Sequence, residues 1–423
     1  MLYFSKGYED LIIDDDLLNS YLKQMLDSFG PRQRVLVIPP DFTRYHSGAG
    51  KITRIIYKYY GNRLKAILPA LGTHFPMSET EQVKMFGDIP VSLFVKHDWR
   101  NDVITLGEVP SEYVYQVSEG RVGYSWPAQV NKLLVEGDFD LILSVGQVVP
   151  HEVIGMANYN KNIFVGTGGA EGINKSHFLG AAYGMERMMG RTDTPVRKVL
   201  DYASEKFAAH LPIVYIHTVL SKDGKGSLVL RGLYAGDDRE CFDRAAHLSL
   251  KVNFQLLDKE LKKVVVYLDP EEFKSTWLGN KSIYRTRMAI ADKGELIVLA
   301  PGLREFGEDR EIDRLIRKYG YLTTPEILKL TNENEDLSDN LSAAAHLIHG
   351  SSEGRFRITY CPGSLTKEEI LSVNYAWAPL EEMMKRYDPA CLKDGFNTMP
   401  DGEEIFFISN PALGLWSYKE RFK

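Results

Sequence analysis

Three short polar motifs stand directly after apolar runs in the first part of the chain. Asp41-Phe-Thr-Arg44 follows Arg34-Val-Leu-Val-Ile-Pro39, and Gly72-Thr-His-Phe-Pro76 follows Lys65-Ala-Ile-Leu-Pro-Ala-Leu71. Pro150-His151 follows Asp140-Leu-Ile-Leu-Ser-Val145. Unbroken apolar runs of this length read as buried strands, so the motifs sit at strand ends. Polar groups at the ends of neighbouring strands converge on one edge of a sheet. Histidine is the side chain best matched to proton transfer near neutral pH. Each histidine alone reads more readily as a turn residue satisfying local backbone. Together on one edge, His74 and His151 are a candidate acid/base pair.

Two further residues bracket a glycine-rich turn, Val165-Gly-Thr-Gly-Gly-Ala-Glu-Gly172. Lys161 follows the Tyr- and Asn-rich segment Met156-Ala-Asn-Tyr-Asn160; desolvation there would make it a nucleophilic amine, and exposure would make it an ordinary surface lysine. His177 lies beyond the turn as a single candidate metal ligand, since the chain has no HExxH. Gly168 and Gly169 let backbone N–H groups aim at an anion, although a structural turn is at least as good a reading. The dinucleotide pattern GxGxxG fails because Glu171 stands at its third glycine, and no Gly-Lys-Ser/Thr completes a phosphate loop. His346 and His349 are expected on a helix surface. His97 is a weaker candidate, and His46, His210, His217 and His247 carry no functional signal.

The elements that must position these groups alternate between strand and helix. Ala49 to Tyr60 is a predicted helix between the first two strands, and Asn162-Ile-Phe-Val165 reads as a further strand. A hairpin is expected from Val214–Leu220 and Leu228–Leu233 around Asp223-Gly-Lys-Gly226, followed by a helix from Arg239 to about Leu250. A second series begins near residue 260. Lys263–Leu268 and Glu295–Ala300 are its strands, with Lys281 to Asp292 as a helix between them. The fold class is α/β, with two domains, 1–260 and 261–423, and largely parallel sheets.

At 423 residues, the chain exceeds what one hydrophobic core usually serves. It is 44% hydrophobic and 26% charged, an ordinary globular composition that excludes collagen, coiled coil and disorder. The net charge of −6 and the absence of a long basic run argue against a nucleic-acid partner. No apolar run reaches the roughly 18–20 residues of a membrane span. The first ten residues lack the pattern of a secretory signal, and Cys241, Cys361 and Cys391 form no CxxC pair, so the expectation is a cytoplasmic protein. Its partner is a small molecule, and its oligomeric state is open.

The ordered set of motifs resembles the nickel-dependent lactate racemase family and its 2-hydroxyacid racemase and epimerase relatives. The resemblance rests on DxTR at Asp41–Arg44, GTHxPxxxxE at Gly72–Glu81, Pro150-His151, and the spacing of His151, Lys161 and His177. Later landmarks are Thr194–Lys198, Ala235–Asp237 and Glu295–Gly307, so it covers roughly residues 30–310. It implies an active site in a cleft between two α/β domains and a nickel-pincer nucleotide tethered at Lys161, with His177 as nickel ligand. His74 and His151 would be the acid/base pair, and Asp41 and Arg44 would anchor the cofactor or substrate carboxylate, with Gly168 and Gly169 beside the nucleotide. Tyr284 and Arg285 would meet the substrate.

The chain departs from the family at two places. The family's Gly-Tyr-Ser-Gly-Gly-x-Lys is here Gly155-Met-Ala-Asn-Tyr-Asn-Lys161, so a different local backbone is expected. Its Tyr-Gln-x-x-Lys is Tyr284-Arg-Thr-Arg-Met288, which puts Lys281, Arg285 or Arg287 in the place of the missing cation and points to a 2-hydroxyacid other than lactate, such as a sugar acid or dicarboxylate. Two alternatives remain beside the isomerase: a non-catalytic binder of a small acid or nucleotide, and an NAD-dependent oxidoreductase.

Overall fold

The computed structural model describes residues 1–223 and 226–422. The chain forms two compact units: Met1–Leu179 with Met188–Asn253, and Gly180–Arg187 with Phe254–Lys423.

The first unit is built on a six-stranded sheet. Its spatial order is Leu2–Gly7, Leu228–Gly236, Ile213–Lys222, Leu141–Gln147, Val35–Ile38 and Leu64–Ile67. The last four of these run parallel, and the first two are antiparallel additions. Val35–Ile38 is buried at every position, as a strand covered on both faces must be. Helix Ala49–Tyr60 lies where expected and buries Ile52, Thr53, Ile56 and Tyr60 along one stripe. Helix Asp15–Ser28 starts at Asp14, whose side chain accepts the Leu17 N–H, and buries Leu18, Leu22, Met25 and Leu26 in the same core. Each of these fully buried aliphatic side chains contributes roughly 1.5–3 kcal/mol by leaving water. The predicted hairpin is present as Ile213–Lys222 and Leu228–Gly236, and helix Arg239–Asn253 follows. The central residues of the expected turn, 224 and 225, lie outside the described residues.

The second unit has its own six-stranded sheet, ordered Ala376–Trp377, Arg357–Pro362, Ile290–Ala300, Leu261–Tyr267, Glu404–Ile408 and Gly395–Thr398. All pairings are parallel except the last. The class is thus mixed α/β with largely parallel sheets.

Three expectations need correction. Asn162–Gly166 is a wide helical turn, closed by the Thr167 N–H donating to the Asn162 carbonyl at 3.1 Å, and not a strand. A short buried apolar run has no periodicity to separate the two. The helix expected over 281–292 ends at Thr286, because strand Ile290–Ala300 begins earlier than its apolar half and pairs in parallel with Leu261–Tyr267. His346 and His349 are buried, since helix Leu341–His349 is covered on all sides. His346 is held between the Tyr284 and Tyr321 hydroxyls at 3.0 Å each.

His217 is also fully buried, on strand Ile213–Lys222, with the Asn158 amide at 3.1 Å from its Nδ1. Burial, and next the Arg197 charge, push its pKa from 6.5 down to about 3. The unfolded chain therefore takes up this proton first, and stability falls as pH drops below about 6.5. In denaturant titrations, the wild type should lose about 2 kcal/mol more than His217→Gln between pH 7 and pH 5. Equal losses in the two proteins would contradict the buried neutral imidazole.

Candidate active site

Strands Leu141–Gln147, Val35–Ile38 and Leu64–Ile67 are immediate neighbours and run in the same direction. Their carboxyl ends therefore release three loops side by side, carrying His151, Asp41 with Arg44, and His74. The chain passes from Val35–Ile38 to Leu64–Ile67 on one side and later to Leu141–Gln147 on the other. That reversal opens a crevice at the strand ends, the place where open α/β sheets take ligands. Asn162 closes it from below: its Nδ2 donates to the Ile38 carbonyl at 3.2 Å and to the Ser144 hydroxyl at 2.9 Å. Lys161, the preceding residue, is thereby brought to the same edge.

Asp41 is buried, and its two oxygens are both used. Oδ2 lies 2.7 Å from His74 Nδ1, and Oδ1 accepts the Thr43 hydroxyl at 2.5 Å. Burial by itself raises the Asp41 pKa, but the His74 and Thr43 hydrogen bonds and the Arg44 charge hold it below the usual carboxylate range. An ionised carboxylate only accepts, so His74 carries its proton on Nδ1 and turns a lone pair outward on Nε2. His151 has the opposite arrangement. The Val153 N–H donates to its Nδ1 at 3.1 Å, which leaves the ring proton on Nε2. Hydrogen bonding thus favours opposite tautomers in the two rings, a lone pair on Nε2 of His74 and an N–H on Nε2 of His151.

Lys161 is closely surrounded, and burial lowers its pKa from 10.5 to about 8, with Arg44 and Arg197 lowering it further and Glu152 and Asp41 opposing. Its uncharged fraction at neutral pH is therefore roughly a hundredfold larger than that of an ordinary lysine. His177, on helix Ala170–Tyr183, donates its Nδ1 proton to the Ile173 carbonyl at 2.7 Å. Burial lowers its pKa to about 4; the Ile173 bond and Glu152 oppose this, while the Lys161 and His74 charges add to it. At neutral pH it is an uncharged imidazole with its Nε2 lone pair available, the form that binds a metal. The mutual electrostatic influence of Lys161, His177, His74, Glu152, Asp41 and Arg44 places them in one neighbourhood. Among the described residues, no three His, Cys, Asp or Glu side chains gather as a metal cage.

The glycine turn is packed from within. A side chain at Gly168 would collide with the Phe164 carbonyl, and one at Gly169 with Gln129. His97 is buried with its Nε2 3.0 Å from the Gly168 carbonyl and its Nδ1 bonded to Asn131, so it braces this turn. Close packing accounts for both glycines without a phosphate.

The departure at 156–160 did not remove the glycine-type backbone. Asn158 and Tyr159, which stand at the positions of the two missing glycines, have φ of 69° and 59°. Asn tolerates this region, but for Tyr it costs roughly 1–2 kcal/mol. Tyr159 offsets that by stacking on Phe242 at 5.3 Å and packing against Tyr215.

Tyr284 and Arg285 belong to the second unit and are buried there, with Tyr284 bonded to His346. Arg287 is paired with Glu186 at 3.2 Å and donates to the Ser351 carbonyl, and Lys281 lies over the Phe273 ring. Met288 is buried as well. Two charged residues of the site escaped the sequence reading. Glu152 had no signal beyond adjacency to His151. Arg197 had one: it is the third residue of helix Pro195–Phe207, where the helix dipole disfavours a cation.

Residues 6–188 match the family model of the lactate racemase N-terminal domain. No curated relative matches the sequence. A crystal structure of a protein from Thermotoga maritima is similar over 98% of this chain and 100% of its own, with 24% identity and a TM-score of 0.79. The lactate racemase apoprotein from Thermoanaerobacterium thermosaccharolyticum is similar over 98% of this chain and 94% of its own, with 17% identity and a TM-score of 0.69. Residues 6–188 are thus similar to the lactate racemase N-terminal domain, and the whole course of the chain follows the fold of these two solved structures.

Proposed function

We propose that the protein is a racemase or epimerase that inverts the hydroxyl-bearing carbon of a 2-hydroxyacid with a nickel-pincer nucleotide. The observation that supports this best is the pair of histidines in opposite tautomers beside a lysine of lowered pKa and an uncharged histidine. Lys161 would tether the nucleotide and His177 Nε2 would ligate its nickel; a depressed amine pKa and a neutral imidazole fit those tasks. Bound there, the group supplies an acceptor for the hydrogen that leaves the carbinol carbon with its electron pair, which no side chain can provide.

The protein's own part is proton handling and orientation. His74 Nε2 takes the substrate hydroxyl proton as the carbonyl forms, and Asp41 stabilises the imidazolium that results. When the carbon is rebuilt from the other face, the oxygen recovers its proton from the imidazolium formed in the first step while His151 Nε2–H holds that oxygen by a hydrogen bond, so the two rings work as one acid/base pair. Arg44 supplies positive charge for the substrate carboxylate or the cofactor phosphate. Because Met288 stands where the family has a lysine, the proposed substrate is a 2-hydroxyacid other than lactate, with a sugar acid or dicarboxylate as the class to screen.

Co-expression with enzymes that make the nucleotide should add a mononucleotide-sized mass at Lys161 together with stoichiometric nickel. His177→Ala should keep the adduct and lose the nickel. Protein that gains neither, while a known lactate racemase is loaded in parallel, would overturn the cofactor reading and favour a binding protein on the same scaffold.

Asp41→Asn should fold and load normally but let the His74 ring adopt the other tautomer. Turnover should fall about 10²–10⁴-fold in both directions, since the equilibrium between stereoisomers is fixed. Steady-state rates from each stereoisomer test this, and unchanged rates would remove His74 as the base.

A further inference from the structure

The segment that delivers Lys161 to the site is held by a residue outside the proposed chemistry. Arg197 is fully buried, and its guanidinium donates to the Met156 carbonyl at 2.7 Å, to the Asn158 carbonyl at 3.2 Å, and to Asn160 Oδ1. These three acceptors lie on both sides of the left-handed Asn158–Tyr159 pair. The flat face of the guanidinium lies over the Phe242 ring, 4.4 Å from its centre, the same ring on which Tyr159 stacks. Asn160 is fixed at its other end, where Nδ2 donates to Asp201 at 2.7 Å and to Ser204. Asp201 in turn pairs with Arg239. Asn158 is anchored separately through its amide to His217, and Gly146 must lack a side chain because a Cβ there would come within 2.9 Å of that amide.

A glycine pair would enter this turn freely; here an Asn and a Tyr do so, and only fixed partners hold them. We propose that Arg197 is the positioning residue for Lys161: by tying together three acceptors of residues 156–160, it fixes the direction in which the lysine leaves the turn. This rests on the reading of Lys161 as the attachment point. A lysine at 197 could not reproduce it, because an ammonium is a point donor, whereas these acceptors are met by two separate nitrogens of the guanidinium fork. The charge of Arg197 also bears on the lysine, alongside Arg44 on the same side of the balance and Glu152 and Asp41 on the other.

The test uses protein that carries no cofactor, so it reads the clamp independently of loading. Wild type, Arg197→Lys and Arg197→Met are compared by hydrogen exchange and by pulsed acetylation of Lys161 across pH 6–10, with the other lysines as internal references. The amides of Ala157 and Asn162, which donate to the Val149 and Tyr159 carbonyls, are the exchange probes. In the wild type these two should exchange as slowly as helix Pro195–Phe207. In the variants they should exchange at least tenfold faster, and the Lys161 acetylation midpoint should rise toward that of the reference lysines. A core variant such as Ile56→Val should lower the melting temperature without moving either readout.

Folded Arg197 variants with unchanged protection and an unchanged midpoint overturn the proposal. If neither variant folds, the wild type still decides, because fast exchange at Ala157 and Asn162 in the intact protein means that nothing clamps the turn. A clamp confirmed in this way alongside failed nickel loading would overturn the cofactor reading alone.

Discussion

The structure of the first unit depends on the parallel pairing of Val35–Ile38 with a neighbour on each side. Parallel strands put all their carboxyl ends at one edge, and the chain's reversal around this strand parts the loops there. A buried four-residue strand supplies no functional group of its own. It nevertheless decides that residues 41, 74 and 151, far apart in sequence, share one rim. The Asn162 side chain spans the gap between two of these strands, so the approach to Lys161 is registered against the sheet itself.

Burial then tunes each group by what it is paired with. Asp41 is buried with two hydrogen-bond donors and a nearby cation, and its charge is favoured. Lys161 and His177 are buried with weaker compensation, and their neutral forms are favoured. The same desolvation thus leaves an anion in one place and, in another, an uncharged imidazole and a lysine that gives up its proton more readily, and the hydrogen-bond partners decide which. His74 and His151 differ in the same way: a carboxylate faces one Nδ1 and a main-chain N–H faces the other.

The segment before Lys161 shows how a backbone shape outlasts the residues that would favour it. Two non-glycine residues occupy left-handed φ, and the cost is offset by aromatic stacking, an amide–imidazole bond and a buried arginine. Replacing glycine by a larger residue usually signals a different turn. Here both residues keep left-handed φ because their surroundings hold them.

The amino-acid sequence by itself determined where the central strands of both α/β series lie and that their sheets are largely parallel, since unbroken apolar runs require cover on both faces. It also set the positions of His74 and His151 relative to those runs, because each lies within a few residues of a predicted strand, whereas the helical elements that carry Lys161 and His177 were not foreseen. Only the tertiary structure decided the wide helical turn at Asn162–Gly166, where four successive buried residues carry no period. It alone showed that His346 and His349 are inside, because burial of a short helix depends on what packs against its polar side. The protonation states of the two histidines and the place of Arg197 were likewise invisible along the chain. Their partners, Asp41 for His74 and residues 156–160 for Arg197, are more than thirty residues away in sequence and become neighbours only when the sheet forms.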